Sequence, residues 1–398
     1  MLRKRIYLDY AALTPIDRRV IREMKKYSSK EYGNPSSLYV EGVKAKKALI
    51  EARTKVASFL HAHVDEIVFT SGGTEANVLA LDGSARAARI QSNITSPHII
   101  ISAIEHSSII ETASMLEKFG CEVTRIPVDH AGVILLDEIK KAMKPNTVLI
   151  SIMTVNNELG SIQPIREITK LVRQIRKENN SIYPLLHTDA AQAALYQDLN
   201  VEKLGVDLLT LDSSKVSGPR GLGCLYIKRN TPIEPIMHGG GQEGGMRSGT
   251  ENVPAIKGFA KALELAVENR SDTGSYLNYI RAYFIKKLTD IHSGIQVNGS
   301  IDTAHSDTGE HLVQSPHILN VSIPGIDNEF FVLQLDAKGI ACSTKSSCLH
   351  DEDESYVMSA IAADSATTVR FSFGSATTKK EIDRTTKIIS KILNNMTK

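Results

Sequence analysis

The chain has 398 residues, 42% of them hydrophobic and 23% charged, an ordinary globular composition with enough length for one large domain and a smaller one. Its 47 basic and 45 acidic residues leave a net charge of +2, which argues against a dedicated nucleic-acid surface, where Lys and Arg would be in clustered excess. No apolar run approaches the length of a bilayer span, and MLRKRIYLDYAA has no apolar stretch behind its basic residues; neither membrane nor signal peptide is expected, and the cytoplasm is the default.

In chain order, the apolar run EIVF feeds the turn Thr70-Ser71-Gly72-Gly73-Thr74-Glu75, and a helical pattern, EANVLALDGSARAARI, follows. Free N–H groups at a helix start attract phosphate. The plainer interpretation is a helix with a Thr N-cap. The turn lacks the Walker pattern, which disfavours a nucleoside triphosphate. Residues 98–104, 148–155, 183–188, 206–211 and 223–228 are short runs rich in Ile, Leu and Val and are expected as strands buried on both faces. Between them, Ile168, Leu171, Val172 and Ile175 fall on one face of a helix. This alternation predicts an α/β fold with a mostly parallel sheet covered by helices, and ligands in such sheets sit beyond the carboxyl ends of the strands. GGGQEGG at 239–245 is expected as a flexible loop. After about residue 255 a helical stretch, AIKGFAKALELAVE, leads to the short strands HILNVSI and TTVRFSF and to a charged helix near 378–394. The expected division is a large domain, 15–255, and a smaller α+β domain of 1–14 and 256–398, carrying the loop 340–356.

Two positions after buried strands carry chemistry. Asp189, in His187-Thr188-Asp189-Ala190-Ala191-Gln192, either caps the next helix or keeps a heteroaromatic nitrogen protonated, because a buried carboxylate needs a cation or several donors. Lys215, in Asp212-Ser213-Ser214-Lys215-Val216-Ser217-Gly218-Pro219-Arg220-Gly221, lies on a Gly/Pro-rich turn between two buried strands. A lone lysine is usually structural, yet lysine is also the Schiff-base residue of carbonyl chemistry.

The order TSGGTEAN, SAIEHSS, VNNELG, HTDAAQ, a Lys before GPRGLGCLY, and GGGQEGGMRSGT resembles the class V, fold-type I pyridoxal-phosphate enzymes, and more narrowly the long-loop cysteine desulfurases of iron–sulfur cluster assembly. The likeness runs from YLDYAALTP to VRFSFG. It implies pyridoxal 5'-phosphate as a Schiff base on Lys215, which also moves protons; Asp189 at the ring nitrogen, His106 stacked on the ring and acting in proton transfer, and Gln192 on the ring hydroxyl oxygen. Gly73 and Thr74 would hold the phosphate, with Ser214 donating one further bond, and Asn157 and Arg370 would take the substrate carboxylate. Thr250 would reach the phosphate of the other subunit of a homodimer.

In such enzymes L-cysteine becomes L-alanine and a persulfide remains on the protein for a sulfur-acceptor protein, in iron–sulfur assembly or tRNA thiolation. Cys348, in GIACSTKSSCLHDEDESYVM, stands at the nucleophile's position; Cys121, Cys224 and Cys342 read as core, and the four cysteines are too few for a disulfide framework. Lys345 would lower the Cys348 pKa and the run Asp351-Glu352-Asp353-Glu354 would raise it. Cys342, Cys348 and His350 match no usual zinc spacing, so no metal is expected. The chain departs from the family pattern at four places. Asp212 and Ser214 replace the Ser and His of Ser-x-His-Lys, and Asp212 should repel a phosphate unless it points away; Thr344-Lys345-Ser346-Ser347-Cys348 replaces Ser-Gly-Ser-Ala-Cys; and Tyr39 stands where His is common. Alternatives are another class V activity, such as a selenocysteine lyase or aminotransferase, or a degenerate member kept as a scaffold.

Overall fold

The computed structural model describes residues 5–300, 313–345 and 354–396. The elements begin with β1 (Ile6–Tyr7), α1 (Arg18–Ser29), α2 (Val40–Leu60), β2 (Ile67–Thr70), α3 (Gly73–Ser92), β3 (His98–Ser102), α4 (Ser107–Lys118) and β4 (Glu122–Ile126). They continue with α5 (Leu136–Ala142), β5 (Thr147–Ser151), α6 (Ile165–Glu178), β6 (Leu185–Asp189), α7 (Val201–Leu204), β7 (Leu208–Asp212), β8 (Gly223–Ile227) and α8 (Val253–Ile291). The rest are β9 (Gln296–Asn298), β10 (Ile318–Ser322), α9 (Asn328–Ala337), β11 (Ile340–Ala341), α10 (Tyr356–Ala360), β12 (Thr368–Ser372) and α11 (Lys379–Met396).

A seven-stranded sheet runs β2-β8-β7-β6-β5-β3-β4. The strands from β7 to β4 pair in parallel, and β8 runs antiparallel to both of its neighbours. The runs expected as two-face-buried strands are so: β3, β5 and β6 are buried at every position. A polar residue in such a strand needs an internal partner. His98 finds Thr147 and Thr124 hydroxyls, and His187 finds those of Ser151 and Thr210. Helix α6 buries Ile165, Ile168, Leu171 and Val172 on the expected face.

One apolar cluster joins α1, α2 and α6 to the sheet, and a second gathers β1, β10, β12, α9 and α11. Helix α8 serves both. Phe259 and Leu263 lie in the first cluster, Leu277, Ile280 and Phe284 in the second. At 39 residues it is about 58 Å long at 1.5 Å per residue, well beyond the apolar stretch that signalled it. No helix among the described residues is long and apolar enough to cross a membrane.

Two local expectations are corrected. The start of α3 has no Thr cap; Gly72 is the N-cap, at φ 157° and ψ −178°, a backbone conformation nearly confined to glycine. The glycine-rich loop 239–245 is pinned: the buried Glu243 carboxylate takes both Arg53 guanidinium nitrogens at 2.6 and 2.7 Å and the Phe69 N–H at 2.8 Å.

Candidate active site

The carboxyl ends of β3, β5, β6 and β7 face one cavity. Its walls include Gly73, His106, Asn157, Asp189, Gln192, Lys215 and Arg370, seven of the residues singled out from the sequence, together with Asn77, Met153, Val155 and Asp212.

Lys215 ends a 3-10 turn, Ser213–Lys215, placed by the step from β7. Its ammonium donates to the main-chain carbonyls of Ala11 and Ala12 at 3.0 and 2.6 Å, so the N-terminal segment closes one side of the cavity. Gln192 shares the Ala11 carbonyl through Nε2, 2.9 Å, and accepts from His317 Nε2 at 3.1 Å. His317 stacks on Tyr196 at 4.2 Å between centroids, and burial holds its pKa down to about 3, so it stays neutral and donates from Nε2.

Asp189, the last residue of β6, is 7% exposed. Asn77 donates to its Oδ2 at 2.7 Å, and the Ala191 N–H to its Oδ1 at 3.0 Å. The carboxylate closes a local turn, with no helix directly after it to cap, and it faces the cavity. His106 caps α4, with Nδ1 3.2 Å from the Ser108 N–H. Accepting there leaves the proton of the neutral ring on Nε2. Next to it in the chain, Glu105 is wholly buried; Oε1 accepts from Ser102 Oγ at 2.5 Å and from the Met153 N–H at 3.0 Å, while Oε2 has no hydrogen-bond partner among the described residues. Burial, with the nearby Asp189 charge adding to it, pushes Glu105 up to about 8 and keeps it protonated at neutral pH.

Arg370, in β12, is 1% exposed. Nη1 donates to the Asn157 carbonyl at 2.8 Å and Nη2 to Asp9 Oδ1 at 2.9 Å, while Nε has no partner among the described residues. Asp9 is held above its ordinary range by burial despite the Arg370 charge.

Thr74 and Thr250 are exposed and, like Ser214, lie outside the cavity walls of their own chain. Cys348, with the rest of residues 346–353, falls outside the described residues. The other three cysteines are buried, and burial raises all three thiols, so they belong to the core as expected. At the end of that loop, Ser355 Oγ donates to Glu158 at 2.7 Å and Tyr356 OH to the Glu105 carbonyl at 2.6 Å. Asp9, Asn77, Glu105, His317 and Tyr356 were not foreseen in these roles. Glu105 carried a signal as a polar residue directly after the 98–104 run, and Asn77 another, one helical turn past Gly73 and so on the same face.

The donor set fits a flat heteroaromatic aldehyde at one end: an amine at Lys215, a carboxylate at Asp189, an imidazole at His106 and an amide at Gln192. At the other end the helix start suits a phosphate, but the Gly73 N–H already donates to Asp212 Oδ2 at 3.1 Å. Asp212 does not point away.

The chain matches the family described as Aminotransferase class-V over residues 6–385. It is 38% identical over 99% of its length to a cysteine desulfurase, IscS, of Dictyoglomus turgidum, covering 96% of that protein. The chain belongs to the class-V aminotransferases, among the cysteine desulfurases. This cysteine desulfurase is also 38% identical to IscS of Methanosarcina thermophila over 99% of its length and 93% of the relative's. Among solved structures, a NifS-like protein superposes with a TM-score of 0.88 at 34% identity, covering 98% of this chain and all of the other. A structure described as SspA in complex with cysteine gives 0.76 at 32% identity, covering 93% and 99%. The family is pyridoxal-phosphate-dependent, and the fold shared with the NifS-like protein is the α/β arrangement expected from the sequence.

Proposed function

We propose that the cavity binds pyridoxal phosphate at Lys215 and L-cysteine beside it, and that sulfur leaves as a persulfide on Cys348. The observation that carries this reading is the convergence of Lys215, Asp189, His106, Gln192 and Arg370 on one cavity. Lys215 would hold the cofactor's aldehyde carbon, Asp189 its ring nitrogen, Gln192 its ring oxygen, and Gly73, Thr74 and Ser214 its phosphate end. When bound, the group supplies an electron sink for the substrate's Cα.

The chain supplies the rest. Arg370 lines the cavity with Asn157, whose carbonyl Nη1 holds, and its guanidinium would take the substrate carboxylate there. Asn77 and the Ala191 N–H hold the Asp189 carboxylate in place at the cavity wall. His106 carries a transferable proton on Nε2, and Lys215 Nζ is the second proton carrier. Net, L-cysteine and the Cys348 thiol give L-alanine and a Cys348 persulfide: the substrate C–S bond breaks, an S–S bond forms, and the carbon takes a proton. The persulfide then passes to an acceptor protein of iron–sulfur assembly or tRNA thiolation. The exposure of Thr250 supports a homodimer in which it serves the second copy's phosphate.

Anaerobic incubation with L-cysteine, followed by peptide mass mapping, tests this. A one-sulfur adduct on Cys348 with stoichiometric alanine is expected. Alanine without an adduct on Cys348, or an adduct on another cysteine, refutes the nucleophile.

A further inference from the structure

The turn after β7 brings a carboxylate to the place where a helix start would receive an anion. Asp212 Oδ2 is 3.1 Å from the Gly73 N–H, the first of α3, and Oδ1 is 2.7 Å from the Ser214 N–H. Gly73 eases the approach, since a Cβ there would stand a tight 3.2 Å from Asp212 Oδ2. A second carboxylate holds the neighbouring donor: Glu75 Oε2 takes the Ser71 N–H at 2.8 Å, and Glu75 is itself paired with Arg247 at 2.9 Å. N–H groups at a helix start have no partner within the helix and favour one anion each. Two of the donors around this start are already spoken for by the protein's own anions. Asp212 lines the same cavity as Lys215, so a phosphate bound there must displace the Asp212 carboxylate or sit against it.

We propose that Asp212 is a specificity-determining residue that occupies the phosphate's position at the start of α3, so that this cavity holds pyridoxal phosphate with little advantage over the unphosphorylated aldehyde, pyridoxal. The inference rests on the reading of the cavity as a cofactor site. Two like charges a few ångströms apart near a protein surface repel strongly enough to cancel much of a helix start's attraction for phosphate.

The test is equilibrium dialysis of the full-length, cofactor-stripped protein against pyridoxal phosphate and, separately, pyridoxal. In the natural chain the two dissociation constants lie within about tenfold of each other. Asp212→Asn, which keeps shape and removes charge, widens their ratio by about tenfold or more. It does so by tightening pyridoxal phosphate while pyridoxal stays within about twofold, the scatter of a neutral change. Asp212→Ser does the same and guards against a folding fault in the first variant. An unchanged ratio, or two affinities that move together as loss of a mere cap would make them, overturns the inference and leaves the cofactor reading intact. Failure of either compound to bind any form of the protein overturns the cofactor reading itself, and the inference with it.

Discussion

Replacing Glu105 with glutamine separates the burial of a carboxyl group from everything else that titrates. Glu105 is wholly buried, and burial pushes it up to about 8 from the ordinary 4.5. An acid whose folded pKa is raised destabilises the fold as pH climbs from the unfolded pKa to the folded one, because only the unfolded chain can release the proton. At 1.36 kcal/mol per pKa unit, that burden is about 1.4 kcal/mol near pH 5.5 and about 4 kcal/mol near pH 7.5, a difference of about 2.5 kcal/mol. Glutamine keeps the acceptor that Ser102 Oγ and the Met153 N–H use, and has no proton to lose. Urea unfolding of cofactor-free protein, followed by circular dichroism at both pH values, reads the effect. The glutamine variant should gain on the natural chain by about 2.5 kcal/mol between the two, all other titrations being shared. Stability curves that stay parallel across that range would refute the assignment of a protonated carboxyl group next to His106 in the chain.

Two further outcomes follow from contacts at the cavity rim. Arg370→Lys keeps a charge for Asp9 but cannot also reach the Asn157 carbonyl or present a planar donor edge. The KM for L-cysteine should rise about tenfold or more with a smaller change in kcat, and a fall confined to kcat would contradict a role in carboxylate binding. Tyr356→Phe removes the 2.6 Å bond to the Glu105 carbonyl, worth about 1 kcal/mol. Persulfide formation on Cys348 should slow several-fold while the bound cofactor's absorbance is unchanged; an unaltered rate in rapid-quench sampling removes Tyr356 from the loop's anchorage.

Much of the central sheet was legible because strands buried on both faces need unbroken apolar runs, and few other elements do. The run at 148–155 shows the limit. Its first half is β5, whereas Met153 and Val155 lie past the strand and line the cavity. Burial alone produces the same residues in both places. The length of α8 was hidden by Ser271, Asp272, Thr273 and Gly274, poor helix formers in its middle, where packing of Phe259 and Phe284 into the two clusters overrides local preference. Lys215, Asp189 and His106 stood out because they follow strands. Asp9 with Arg370, Asn77 with Asp189 and Gln192 with His317 did not, because each pair is joined only by the fold, across 361, 112 and 125 positions. Asp212 was recognisable as foreign to its motif, but its direction depends on the backbone of the turn.

The hold on Lys215 has a consequence for how this protein tolerates change. Its ammonium is received by two peptide carbonyls, at Ala11 and Ala12. Substituting either alanine leaves both acceptors where they are, provided the new side chain fits. A residue inserted or lost between Tyr10 and Leu13 would carry them out of reach. These two bonds to the reactive amine are thus written in spacing, silent to substitution of the alanines that make them and exposed by a one-residue change in length.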